Sequence, residues 1–262
     1  MPAETFTALI AEGSSSQYSV ALKQIGTDSL PPGDVLVEVQ FSSLNYKDAL
    51  AVTGRGKVIR KFPLVCGIDL AGRVLESSAP DFHPGDEVLA VGQGLGESRW
   101  GGFSQLARLA ADALLRIPSG LDTKQAMAIG TAGFTAMLSL MALENYGVRP
   151  GEKEVLVTGA TGGVGSIAVL LLAGAGYKVA ASTGRKEFEN YLRELGAETI
   201  VSRAELEQKT APLASERWAG AVDSVGGQTL ASVIAATSAY GAVAVCGLAG
   251  GAEFSTSVFP FI

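Results

Sequence analysis

Residues 155–165 read Val155-Leu156-Val157-Thr158-Gly159-Ala160-Thr161-Gly162-Gly163-Val164-Gly165. An apolar run ends in a glycine cluster, and Ile167-Ala168-Val169-Leu170-Leu171-Leu172 follows with helical character. Set against the G-x-G-x-x-G pattern of dinucleotide-binding turns, Ala160 replaces the first glycine, while Gly162 and Gly165 keep the other two places. Glycine at the middle place lets the backbone approach a pyrophosphate, and glycine at the last lets the next helix pack closely on the strand. A helix starting near Val164 then turns its free N–H groups and positive dipole end toward phosphate. Ala160, Thr161, Gly162, Gly163, Val164 and Gly165 are therefore the first candidate cofactor contacts. Glycine clusters by themselves usually mark turns. Here a strand precedes, a helix follows and a second strand comes at the βαβ interval, the context that supports a dinucleotide site.

The second strand selects the nicotinamide. An NAD site places Asp or Glu roughly 20 residues beyond the glycines, to accept from the ribose 2′-OH. That region here reads Ala180-Ala181-Ser182-Thr183-Gly184-Arg185-Lys186, with no acid before Glu187. Hydroxyls and cations suit a 2′-phosphate, which a carboxylate would repel. The alternative is that Arg185 and Lys186 are only a solvated strand end. Missing acid and present cations together favour NADPH, with Ser182, Thr183, Gly184 and Arg185 as contacts.

Outward from this core the chain has two textures. After residue 150 strand and helix patterns alternate, with strands expected at 154–158, 178–182, 198–201, 221–224 and 242–246. Such alternation implies a parallel sheet covered by helices on both faces. Before about residue 118 short strand candidates dominate, at 6–10, 35–39, 69–75 and 87–91, separated by turn signals such as Pro31-Pro32-Gly33-Asp34 and Pro84-Gly85-Asp86. Their spacing suggests a small barrel-like domain. Between the two, Asp122 and Gln125 match a capping box, and a long apolar helix is expected over 126–143, interrupted at Gly130-Thr131-Ala132-Gly133.

Bulk properties agree with a packed protein. The 262 residues are 47% hydrophobic and 18% charged, which argues against disorder and for two domains. A net charge of −6 and a pI near 5.0 argue against a broad nucleic-acid footprint. No uninterrupted apolar stretch of spanning length is evident, the best being residues 167–175, so no membrane partner is expected. Cys66 and Cys246 sit singly in apolar runs and form no disulfide framework, so a reducing, cytoplasmic setting is the expectation.

Across its length the chain resembles the zinc-free quinone-oxidoreductase branch of the medium-chain dehydrogenase/reductase family, and within it the NADPH-dependent acrylyl-CoA reductases. The residues that carry the resemblance are Asn45-Tyr46-Lys47-Asp48-Ala49-Leu50, Pro63-Leu64-Val65-Cys66-Gly67-Ile68-Asp69-Leu70-Ala71-Gly72, Gly130-Thr131-Ala132-Gly133-Phe134-Thr135-Ala136, the glycine loop, and Val245-Cys246-Gly247-Leu248-Ala249-Gly250-Gly251. It implies an α/β architecture: an N-terminal, mostly-β GroES-like catalytic domain over 1–124 and a Rossmann doubly wound parallel-sheet domain over 125–262. It also implies NADPH between the domains, contacted by Tyr46, Thr161, Gly162, Gly163, Val164, Ser182, Thr183, Gly184, Arg185, Arg203, Leu248 and Ile262. For Arg203, a surface arginine after a strand is an equal alternative. The zinc-dependent cousins use Cys and His at the places held here by Asn45 and Ile68, and with one histidine, His83, no metal is expected.

Without a Lewis acid, the accessible reaction for a bound hydride donor is reduction of a carbon–carbon double bond conjugated to a carbonyl. Tyr46 is then the first candidate for orienting substrate or supplying a proton, with Asn45 and Thr135 as further donors near the carbonyl oxygen. Arg55, Lys57, Arg60 and Lys61 form a basic cluster on an acidic protein, suited to coenzyme A phosphates or to plain solvation. The expected substrate is a small enoyl-CoA, with a quinone or enone as the alternative within enzymes, and a non-catalytic NADPH-binding sensor or inactive shortened form as the alternative outside them. No Tyr-x-x-x-Lys pair occurs, which sets aside a short-chain reductase. The resemblance also implies a sixth sheet strand and closing segment after residue 262, the strand pairing across a homodimer. A shortened chain with a compromised dimer is therefore expected.

Overall fold

Alternation of apolar and polar side chains shapes the first part of the chain. The structure, a computed structural model, describes residues 4–209 and 211–262. In β1 (Thr5–Ser14) Phe6, Ala8 and Ile10 are buried while Thr5, Thr7 and Leu9 are less so, the period-2 pattern of a half-buried strand, and Ala11 is buried in turn in a second cluster. It pairs antiparallel with β2 (Gln17–Gly26) from Thr5↔Gly26 to Ser14↔Gln17. Next come β3 (Val35–Phe41), α1 (Tyr46–Thr53), β4 (Leu64–Val65), β5 (Asp69–Ser77), β6 (Glu87–Val91), β7 (Leu106–Leu109) and β8 (Leu115–Arg116). These make two antiparallel sheets, ordered β2-β1-β4 and β7-β3-β5-β6-β8. Val35, Val37, Leu70, Val74, Val88 and Leu109 form one core of this unit.

The helix α2 (Thr123–Asn145) opens with the capping box expected from sequence: Gln125 N–H donates to Asp122 Oδ1 at 2.7 Å, and Asp122 N–H donates to Gln125 Oε1 at 3.0 Å. It is two helical segments joined at Gly130, whose φ of 48° and ψ of −159° are not helical. The chain divides into two compact units, the first ending at Thr131 and the second beginning at Ala132. This lies at the Gly130 break, later than the 124/125 division that the family resemblance implies. The physical reason is that Ala126 and Met127 pack against Ala71, Leu89, Val91 and Ile117 of the first unit. By length and composition α2 is apolar enough to cross a membrane, a test that buried core helices also pass; Ala136, Leu140 and Leu143 belong to the core of the second unit.

The second unit is a five-stranded parallel sheet among the described residues. Its elements are β9 (Glu154–Val157), α3 (Gly163–Gly174), β10 (Val179–Thr183), α4 (Glu189–Glu194), β11 (Thr199–Ser202), α5 (Arg203–Leu206), β12 (Trp218–Asp223), α6 (Gly227–Ala235) and β13 (Thr237–Val245). The strand order is β11-β10-β9-β12-β13. Val155, Leu156, Val157, Val179, Ala180 and Ala181 are fully buried, as strands covered on both faces must be. The order runs outward from β9 in one direction and restarts on its other side with β12. Ligands of such sheets bind beyond the carboxyl ends of the strands at this reversal. That places the loops after β9, β10, β12 and β13 at the candidate site.

Candidate functional site

The loop after β9 is built for close approach. Gly159 has a φ of 58°, and a Cβ there would meet Ser224 Oγ at 2.5 Å. The first turn glycine is therefore Gly159, one place before the aligned Ala160, and this is why an alanine is tolerated in the pattern. Ala160 is fully buried, and its N–H donates to the Ser182 carbonyl at 3.0 Å. A Cβ on Gly165 would meet the Gly159 carbonyl oxygen at 2.3 Å and Ala160 Cα at 2.7 Å, so the start of α3 lies directly against the loop. Gly162 caps α3, and both Gly162 and Gly163 are exposed. The first turn of a helix leaves its N–H groups without intrahelical partners. The result is an open, positively polarised rim without side chains, suited to a pyrophosphate.

The carboxyl end of β10 supplies the cations. Arg185 donates from NH2 to the Thr161 carbonyl at 3.0 Å and to Thr161 Oγ1 at 2.5 Å, and from Nε to the same hydroxyl at 3.1 Å. Its backbone N–H donates to Thr183 Oγ1 at 3.0 Å, and its guanidinium lies 4.8 Å from the centre of the Phe188 ring. Arg203, opening α5, pairs with Glu207 at 3.2 Å, and its guanidinium lies so close to Gly184 that a Cβ there would meet Cζ at 2.8 Å. Thr161, Thr183, Gly184, Arg185 and Arg203 thus form one cluster at the ends of β10 and β11, while Ser182 is buried in the strand. Leu248 is half exposed on the loop after β13, where a Cβ on Gly226 would meet Leu248 Cα at 3.3 Å. Ile262 is 91% exposed, and no hydrogen bond links it to the glycine loop among the described residues.

The sequence reading missed Asp223 in this unit. It is fully buried at the end of β12, accepting from Thr158 Oγ1 at 2.6 Å and from Gly226 N–H at 2.8 Å. Its backbone carbonyl accepts from Cys246 N–H at 2.8 Å. The Asp223 carboxylate therefore ties the loop after β9 to the loop after β12, and its backbone carbonyl adds the end of β13. An acid closing an apolar strand was the only signal available in the sequence.

In the first unit, Tyr46 is the first residue of α1 and is 56% exposed. Asn45 precedes the helix, and its N–H donates to Asp48 Oδ2 at 2.8 Å. Asp48 is buried and accepts also from Ile68 N–H at 3.0 Å. Burial pushes the Asp48 carboxyl above its usual range, the N–H donors of Asn45 and Ile68 oppose this, and the charge of Asp69 adds to it. The Asn45 amide donates to Ser43 Oγ at 3.1 Å and to Asp69 Oδ2 at 3.0 Å. Thr135 lies in the second unit, half-buried on α2, where its carbonyl accepts from Ser139 Oγ at 2.9 Å.

Arg55, Lys57, Arg60 and Lys61 are all exposed. Arg60 lies 3.8 Å from Glu97, which also binds Lys47 at 2.8 Å. Arg55, Lys57 and Lys61 have no ion pair among the described residues. Among the described residues no three His, Cys, Asp or Glu side chains come together to hold a metal ion, and those near α1 do not fit zinc. Asp48 and Asp69 face N–H and O–H donors, Cys66 is a buried thiol pushed up to about 11 by desolvation, and His83 is exposed in a turn beside Asp86. A metal ligand must instead present a lone pair.

Residues 31–119 match the model of the alcohol dehydrogenase GroES-like domain, and residues 163–262 match that of the zinc-binding dehydrogenase. The chain is 50% identical over 260 residues to the acrylyl-CoA reductase AcuI of Ruegeria pomeroyi, covering 98% of this chain and 79% of that one. Among solved structures, the yhdH oxidoreductase of Salmonella enterica in complex with NADP superposes with a TM-score of 0.92 at 52% identity, covering 98% of this chain and 79% of that one. The yhfP protein of Bacillus subtilis with NAD bound gives 0.91 at 47% identity, covering 99% and 79%. The chain belongs to the medium-chain dehydrogenase/reductase family of nicotinamide-dependent oxidoreductases.

Proposed function

We propose that this protein is an NADPH-dependent reductase of the conjugated double bond of a small enoyl-CoA thioester, working without a metal. The observation that carries the cofactor half is the cluster of Arg185 and Arg203 around Thr161, Thr183 and Gly184, where an NAD site would hold a carboxylate. Two guanidinium groups there suit a 2′-phosphate. The yhdH structure with NADP supports this choice, and the yhfP structure with NAD makes the comparison of the two nucleotides the necessary control.

Bound NADPH would supply a hydride to the β-carbon of the substrate. The chain's part is then to hold the substrate, to stabilise negative charge on the thioester oxygen and to deliver a proton to the α-carbon. The exposed Tyr46 phenol is the group suited to the oxygen or the proton, and Thr135 is a further hydroxyl donor. Gly162 and Gly163, exposed at the α3 N-terminus, would take the pyrophosphate, and Leu248 would line the nicotinamide side. Ile262 enters as a cofactor contact only through the resemblance of the chain to its family. Arg55, Lys57 and Lys61 would take the phosphates of coenzyme A, a reading supported by the name of the Ruegeria pomeroyi relative. An acidic chain with two unpaired cysteines fits cytoplasmic work.

Glu97 favours a second reading. By engaging Lys47 and Arg60 it removes positive charge from the cluster, as suits a quinone or enone that needs no phosphate contact. Steady-state NADPH consumption with acrylyl-CoA and with a simple quinone separates the two. Preferential turnover of acrylyl-CoA, reduced on replacing Lys57 and Lys61 by Ala, is expected; turnover of quinone alone contradicts the thioester assignment.

A further inference from the structure

Asp69 is fully buried at the start of β5 and has no cationic partner among the described residues. Its carboxylate instead collects neutral donors. Oδ2 accepts from Ser43 Oγ, from Asn45 Nδ2 at 3.0 Å and from Thr131 N–H at 2.9 Å, and Oδ1 accepts from Thr131 Oγ1 at 2.5 Å. Its backbone carbonyl accepts from Ser42 Oγ at 2.7 Å, and the preceding Ile68 N–H donates to Asp48 inside α1 at 3.0 Å. The donors come from two segments. One is 42–45, which runs directly into Tyr46. The other is Thr131, the first residue after the break in α2. The break itself is shaped for the carboxylate, since a Cβ on Gly130 would lie 2.8 Å from Asp69 Oδ2 and 2.9 Å from Ser43 Oγ. Burying a carboxylate is costly, and an apolar side chain of similar volume is often at least as stabilising. What a charged acceptor supplies here and an apolar residue cannot is a fixed geometry for four donors at once.

We infer that Asp69 is a positioning residue for the reaction: it holds the segment carrying Tyr46, and the residue that restarts α2, in the arrangement hydride transfer requires. The inference rests on the proposed reductase function and on the role of Tyr46 in it. It makes a statement about rate, because displacing a reacting group by about 1 Å can cost about a hundredfold.

The test is a cycle of Asp69→Ala and Tyr46→Phe, alone and together. It is assayed below the unfolding temperature with whichever substrate the parent chain turns over, with NADPH affinity followed by fluorescence. Asp69→Ala is expected to lower kcat by about 30-fold or more while the NADPH Kd stays within about twofold, because the glycine and arginine loops belong to the other unit. In the Tyr46→Phe background the same change is expected to cost less than about fivefold, the non-additivity of residues that act as one. Asp69→Asn should recover most of the loss. One oxygen can serve Ser43, Asn45 and the Thr131 N–H, while its amide donates to Thr131 Oγ1. Unchanged kcat in folded Asp69→Ala, equal losses with and without Tyr46, or NADPH affinity falling in step with kcat would each overturn the inference. Should Asp69→Ala not fold, Asp69→Leu, which keeps the volume and removes the acceptor, takes its place in the cycle, and its loss must likewise shrink without the phenol. A parent chain that turns over neither thioester nor quinone would remove the proposed function and this inference with it.

Discussion

At the residue scale, two side chains carry distinct expectations. Arg185 makes charge-assisted hydrogen bonds to Thr161 and lies where a 2′-phosphate is proposed. Arg185→Ala should weaken NADPH about tenfold to a hundredfold, from a loss of about 1.5–3 kcal/mol, and change NADH binding little. Fluorescence titration of both nucleotides measures this, and equal losses for the two would contradict the assignment. Cys66 tests burial instead. Desolvation, helped by the charge of Asp48, holds its thiol at about 11 against an ordinary 9.0. Between those values the folded chain keeps a proton that the unfolded chain has lost. The contribution to stability is thus full below about pH 9 and lost as pH rises through about 11. The urea midpoint of the parent chain should accordingly fall more between pH 8 and 11 than that of Cys66→Ala, and native Cys66 should resist alkylation at neutral pH. The sequence made Arg185 legible, because a cation stands where an acid is otherwise required. It could not reveal Asp48 in a helix, Asp69 at the start of a strand or Asp223 at the end of one, since an acid reads as a surface or turn residue until its burial and its donors are known.

At the element scale, local rules decided what could be read. Asp122 and Gln125 announced the start of α2, and the structure has both bonds of the box. Asp122→Ala should cost about 1 kcal/mol, seen as a lower urea midpoint. The glycine pattern announced α3 and its tight approach to the loop. Gly165→Ala would place a Cβ against the Gly159 carbonyl, backbone that cannot swing aside, and should cost about 1–3 kcal/mol together with NADPH affinity. Calorimetry with and without nucleotide checks it, and an unchanged midpoint would contradict the close approach. The two-residue strands β4 and β8 gave no signal, being too short to show a period. α1 was hidden for another reason. Its residues, Tyr46 to Thr53, carry only a weak apolar face, and the element is set by the cap around Asn45 and Asp48. β13 starts five residues before the expected apolar run, because Tyr240, at a φ of 60°, allows a register shift between Thr237 and Ala242 against β12.

At the scale of the whole molecule, the parallel sheet was legible from the alternation after residue 150, and the antiparallel unit from its closely spaced turns. The division between units was less so, because the first segment of α2 packs with the preceding sheet and the switch comes only at Gly130. The two units carry different parts of the proposed chemistry. The second holds the loops suited to NADPH, and the first holds Tyr46 with its buried carboxylates and the exposed cations. The measurement that tests the proposed function most directly is kcat/KM for acrylyl-CoA with NADPH, set beside NADH and beside a simple quinone. NADPH consumption with acrylyl-CoA is expected to run well above both comparisons. Preference for NADH, or turnover confined to the quinone, would contradict it.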